Sequence, residues 1–250
     1  MAEGSSVLQR RVLQHPIWRG ADENDVRALL RRSTLIDCPA GAMVVRAGEP
    51  AKHIHLLLDG AVRVFYPPTK ARGALTVKLF GAPASFGDAE CVLQTTWNEN
   101  VQALVRSQIL VTPVERYFEL LRNDAQLSFR QYLEVARQFG VAIQYEQAAG
   151  SAMARIIATI AAYASQFGRP VDGGVLVDYT LTQDILARES DCRRRSIVRA
   201  LADLYSAKLM WRVKRRYCVA SVEALLEHAG AHVPNLAVSA SDEPWVARAG

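Results

Sequence analysis

Cysteine is scarce and dispersed in this chain. Cys38, Cys91, Cys192 and Cys218 are the four present, and no two have the spacing of metal ligands. A chain of 250 residues can build sizeable cores without covalent staples, so free thiols are expected and neither a disulfide framework nor a zinc site is. Long apolar runs are missing as well. No segment reaches the ~20 residues that cross a bilayer, and Met1 to Arg11 lacks the apolar stretch of a signal peptide, so a cytoplasmic protein is expected. No glycine-rich phosphate loop and no nucleophile–base set occurs, and Asp88 with Glu90 near a glycine turn lacks the further partners of a catalytic pair. An enzyme is therefore not expected, nor is a cofactor. Charge imbalance is small too, at +5 overall.

That small excess is unevenly placed. Between Thr180 and Ala220 stand ten basic residues (Arg188, Arg193, Arg194, Arg195, Arg199, Lys208, Arg212, Lys214, Arg215, Arg216) against four acidic ones (Asp184, Glu189, Asp191, Asp203). The surplus in this one segment exceeds that of the whole chain, so the remainder is nearly neutral. Charge concentrated in one segment is the footprint of a nucleic-acid surface.

The apolar pattern changes period twice along the chain. Residues 7–33 read as short helices, with Val26, Leu29 and Leu30 at helical spacing behind the capping residue Asp22. From Ile36 to Val114 come short strand-like runs, among them 54–58, 62–65, 75–79, 101–105 and 109–114, separated by glycine and proline turns. Such close spacing predicts a barrel or sandwich. After Pro113 the period is helical again, and Phe129, Leu133, Ala136, Gly140 and Ile143 trace one face at steps of three and four, the pattern of a helix that packs against its copy in a homodimer. A further helix is expected over Ala152 to Phe167, ended by Gly168-Arg169-Pro170, with a strand over 175–177.

The stretch from Leu181 to Leu201 carries the most information. Thr182 can cap a first helix whose Ile185 and Leu186 turn inward, Ser190-Asp191-Cys192 makes a turn, and a second helix begins near Arg193 with Ile197, Ala200, Leu201 and Leu204 buried. Arg194, Arg195 and Arg199 then project from the other side. Basic side chains in a first turn oppose the helix macrodipole, and phosphates or guanine edges would relieve that conflict. Lys208 to Val219 reads as a two-stranded wing with a basic turn containing Lys214 and Arg215. Thr182, Arg193, Arg194, Arg195, Arg199, Lys214 and Arg215 are the candidate DNA-binding residues.

Two stretches resemble the Crp–Fnr family of bacterial transcription regulators. One runs from Leu13-Gln14-His15-Pro16-Ile17-Trp18-Arg19-Gly20 through Pro39-Ala40-Gly41, Arg46-Ala47-Gly48-Glu49-Pro50 and Leu56-Leu57-Leu58-Asp59-Gly60-Ala61-Val62-Arg63-Val64. The other is the helix-turn-helix itself. The resemblance implies an α+β chain: an amino-terminal cyclic-nucleotide-binding-like β-barrel or jelly roll with flanking helices over 1–114, a dimerisation helix over 115–147, and a winged helix-turn-helix over 148–233. A tail rich in Ala, Ser and Gly, expected to be disordered, fills 234–250. It implies a homodimer on double-stranded DNA with a palindromic site, and RNA polymerase as a further partner.

Departures from the family pattern set the expected chemistry. Phe86-Gly87-Asp88 keeps the turn of the effector pocket with a shorter acid. The Arg-Ser pair that the resemblance would place on a cyclic phosphate is absent: Glu99 and Asn100 stand in that region, and no arginine occurs between Arg72 and Arg106. From Phe129 to Gly150 there is no serine or threonine to meet a purine. Phe86, Gly87, Asp88, Glu99 and Asn100 are therefore candidate pocket residues for an effector other than cyclic AMP, or for none. A haem would need an axial ligand, and His53, His55 and His15 read as ordinary strand and loop histidines. In the recognition helix, Arg194 and Arg199 match the family's two arginines, but Arg195 replaces an acid that accepts from cytosine, so a different half-site is expected. The competing reading is an adaptor whose degenerate barrel and winged helix bind another protein.

Overall fold

The computed structural model describes residues 2–70, 74–148 and 151–230. The chain opens with α1 (Ala2–Gln14) and α2 (Glu23–Leu30), then forms β1 (Thr34–Cys38), β2 (Met43–Val45), β3 (His53–Asp59), β4 (Ala61–Tyr66), β5 (Leu75–Gly81) and β6 (Ala84–Phe86). A short α3 (Asp88–Val92) precedes β7 (Asn100–Ala103) and β8 (Ser107–Pro113). The strands make two four-stranded antiparallel sheets, ordered β1-β8-β3-β6 and β2-β7-β4-β5, which face each other as a jelly roll. Ile54, Leu56, Leu57, Val62, Phe80, Trp97, Val101 and Ile109 belong to its core. The β3–β4 hairpin turns on Gly60 at φ +89°, where an added Cβ would also run into Ser107, so only glycine fits.

Two helices follow the barrel, α4 (Val114–Asn123) and α5 (Ala125–Ala148). The span 115–147 is thus divided, and Asp124 makes the break. Its backbone is extended, and its carboxylate accepts from the Gln126 and Leu127 amides at 2.9 and 3.0 Å, capping α5. Next come α6 (Ala152–Phe167), capped by the Ser151 hydroxyl, β9 (Gly168–Val171), β10 (Gly174–Val177), α7 (Gln183–Glu189), α8 (Arg194–Ser206), β11 (Met210–Val213), β12 (Arg216–Val219) and α9 (Val222–His228). This head has its own core of Ile156, Ile160, Tyr163, Leu186, Ile197, Leu201, Leu204, Tyr217 and Leu225.

The expected mixed fold, barrel first and helix-turn-helix last, is what forms. The wing is larger than expected: β11 and β12 are joined by β10 and β9 in one sheet, ordered β11-β12-β10-β9. Gly168-Arg169-Pro170, read from the sequence as a helix stop, is also the start of β9. Proline is tolerated there because β9 is the edge strand and can point a missing donor outward. The tail 234–250 lies outside the described residues. Among the described residues no helix is long and apolar enough to cross a membrane.

Candidate nucleic-acid interface and effector pocket

The helix-turn-helix is built on local chemistry. The Thr182 hydroxyl accepts from the Ile185 amide at 3.1 Å and starts α7. Leu186 is fully buried, and the Ser190 hydroxyl donates back to the Leu186 carbonyl at 2.6 Å, closing the helix. Asp191 carries the turn at φ +49°, a left-handed conformation that costs an L-residue about 1–2 kcal/mol. Replacing it with glycine is therefore expected to raise unfolding stability by about 1 kcal/mol, read as a higher melting temperature with DNA binding retained.

Arg193 then enters α8 without a side-chain cap, and Ile197, Ala200, Leu201 and Leu204 bury one face. The opposite face is open: Arg193, Arg194, Arg195, Val198 and Arg199 are all exposed. Arg194 lies 3.7 Å from the exposed Asp184 carboxylate, a loose contact worth little in water. Among the described residues Arg193, Arg195 and Arg199 have no carboxylate partner. Lys214 turns the wing tip at φ +56° with Arg215 exposed beside it, while Arg216 is occupied by Asp178. The seven residues singled out in the sequence are thus all on the head and, with Thr182 among them, all exposed.

On the barrel, β6 runs into Gly87 at φ +95° and then α3. A Cβ at Gly87 would come within 3.0 Å of the His53 carbonyl oxygen and 3.1 Å of the Trp97 ring, so the turn is closely covered. Phe86 is buried and stacks on the His55 ring, centroids 4.8 Å apart with planes 2° from parallel. Burial holds His55 neutral, pushing it down to about 4. Asp88 is buried and accepts from the Ser85 hydroxyl at 3.1 Å. Burial pushes its acid up from 3.8 to about 6, helped by Glu134 and Glu90 and opposed by Ser85 and Gln131. Glu99 is raised too, by burial and then Glu90, against the Tyr66 hydroxyl and Lys78. Asn100 spends its side-chain oxygen on the Ala47 amide at 2.9 Å. This corner of the barrel is acidic, and no group of three or more metal-ligating side chains is found among the described residues.

The sign for Asp88 follows from proton linkage. Its folded-state value lies above the ordinary one, so its favourable contribution is full below about pH 4 and is lost as pH rises through about 6. Replacing Asp88 with asparagine is expected to stabilise the protein at pH 7–8 by up to about 3 kcal/mol, and not at pH 4. Urea melts at the two pH values measure it.

Along α5 the exposed apolar side chains are Phe129, Tyr132, Val135 and Phe139, with Tyr132 and Phe139 each 66 % exposed. Ala136 is exposed and Leu133 half-buried, while the side chains of Gly140 and Ile143 lie outside the described residues. Of these exposed apolar residues only Phe129 lies on the face traced in the sequence, and Tyr132, Val135 and Phe139 continue from it at steps of three and four.

Residues 35–124 match the family model of the cyclic nucleotide-binding domain. A transcriptional regulator of the CRP family from Thermus thermophilus superposes with a TM-score of 0.60 at 18 % identity, over 80 % of this chain and 98 % of its own. The chain is similar to Crp–Fnr regulators, with a cyclic nucleotide-binding domain over 35–124. Curated relatives extend the likeness in sequence. The global nitrogen regulator of Nostoc sp. is 24 % identical over 69 % of this chain and 78 % of that protein. A CRP-like cAMP-activated global transcriptional regulator of Mycobacterium tuberculosis is 25 % identical over 75 % and 84 %. The acidic corner around Asp88 sits in the cyclic nucleotide-binding-like barrel and the open arginine face in the head.

Proposed function

We propose that this protein is a homodimeric, sequence-specific DNA-binding regulator of transcription whose barrel does not take cyclic AMP. The observation that carries it is the open face of α8, where Arg195 and Arg199 stand exposed, with no carboxylate partner among the described residues, on a helix whose other face is packed. Those guanidiniums fit guanine O6/N7 and phosphate oxygens, and the basic wing tip fits the flanking backbone. The names of the relatives support a regulator of transcription. The apolar stripe on α5 supports a dimer, and a dimer offers two heads to a palindromic site. RNA polymerase is the further partner this reading implies. Gel shifts over a salt series test it: specific fragments are bound well above random DNA at every salt, whereas a merely basic surface loses all preference.

The Mycobacterium relative is named as cAMP-activated, but a cyclic phosphate needs a cation or several oriented donors. The corner that would receive it holds Asp88, Glu90 and Glu99, with Lys78 beside Glu99 as the cation that acts on it. Titration calorimetry with cyclic AMP is expected to give no saturable heat at micromolar concentrations. A micromolar isotherm would end this part of the reading.

A further inference from the structure

Arg63 and Glu189 are 126 residues apart, on β4 of the barrel and at the end of α7 in the head, and they meet in a buried ion pair. Arg63 Nη1 donates to Glu189 Oε1 at 2.5 Å, with the two side chains 8 % and 0 % exposed. Arg63 Nε donates to Gln102 Oε1 at 2.9 Å, and the guanidinium lies 4.2 Å over the Phe65 ring. Glu189 also accepts from the Thr76 hydroxyl of β5 and from Arg188 Nε at 3.0 Å. Beside the pair the Gly81 amide donates to Gln166 of α6 at 2.6 Å, and Leu79 and Leu104 of the barrel pack against the core of the head.

Such a pair is a poor source of stability, since desolvation consumes most of the attraction. Its value is directional. Apolar contacts such as Leu79 allow a head to slide, whereas a guanidinium tied also to Gln102 and a carboxylate tied also to Thr76 and Arg188 favour one pose. The contact leaves the reading face of α8 exposed, so docking does not decide whether the head reads DNA. It decides where the head points.

We propose that Arg63 and Glu189 are a positioning pair that aims the reading head, and so sets which separation of half-sites the dimer accepts. This rests on the DNA-binding reading above. With α5 ending at Ala148 and Ser151 already capping α6, the covalent link is short and the docked pair supplies the orientation.

The test uses the full-length dimer as wild type, Arg63→Met, Arg63→Lys and Glu189→Gln, on duplexes whose two half-sites are moved apart one base pair at a time. Wild type is expected to favour one separation about tenfold over its neighbours, as rigidly linked sites do. Arg63→Met and Glu189→Gln should flatten that profile while leaving affinity for a duplex with a single half-site unchanged, and Arg63→Lys should restore part of it. A pair that only stabilised the fold would shift the melting temperature and leave the separation profile intact, and that result overturns the proposal. Amide exchange read on β5 and α7 decides independently of DNA: both are expected to lose protection in Arg63→Met, and unchanged protection also overturns it. If wild type binds no specific DNA at all, the DNA reading fails, and the exchange result alone still judges the docking.

Discussion

Replacing Arg199 with alanine weakens binding to the specific site by about 1–3 kcal/mol per half-site, the worth of one bidentate guanine contact. Because the proposed dimer presents the residue twice, the expected total is roughly one and a half to four decades in affinity. The loss falls on specific DNA. Affinity for random duplex drops much less, and the specificity relaxes at one position of each half-site. The reason is geometric. Arg199 lies one turn beyond Arg195 on the exposed side, with no carboxylate to share it among the described residues, and the opposite side is locked into the head by Ile197, Ala200 and Leu201. Removing the side chain leaves the fold untouched, so the effect reports recognition. An equal loss on specific and random DNA would mean that Arg199 meets only phosphate. Replacing Arg195 is the informative control, since a contact to phosphate alone predicts a uniform loss and a smaller salt slope.

The second large effect is expected in assembly. Glutamate at both Tyr132 and Phe139 places charge in the most exposed part of the apolar stripe on α5. Two copies facing each other would then bury four unpaired carboxylates, which no helix pair tolerates. Sedimentation should give a monomer. Affinity for the two-half-site duplex should fall by about 100-fold or more, while binding to an isolated half-site stays as it was, because only the linkage between heads is lost. A variant that stayed dimeric with undiminished affinity would place the dimer contact elsewhere.

The parts of this molecule that were legible in its sequence are those governed by neighbours in the chain. Thr182 and Ser151 cap their helices through bonds three residues long, and the apolar residues of α6 and α8 repeat at helical spacing, so the head could be drawn before it was seen. The barrel was legible as short runs between glycines, though not its pairing order, which joins β1 to β8 and β2 to β7 across the chain. The break at Asp124 was missed because aspartate in a polar stretch also suits a helix surface, and its capping bonds are visible only in the backbone. The pair of Arg63 with Glu189 was beyond reach: each looks like an ordinary charged residue of an alternating strand or an amphipathic helix, and only the docking of one core on another brings them together.

Leu79 and Phe80 are neighbours on one strand and serve different interiors, Leu79 packing on the head and Phe80 filling the barrel. The strand is thus a party wall. A shortened chain ending after α5 would leave its outer side, with Leu79, Leu104 and an Arg63 guanidinium deprived of Glu189, facing water. A barrel fragment prepared that way would tend to stick to itself. Heritable change on either side of the wall must also stay compatible with the other, which ties the evolution of the barrel to that of the head.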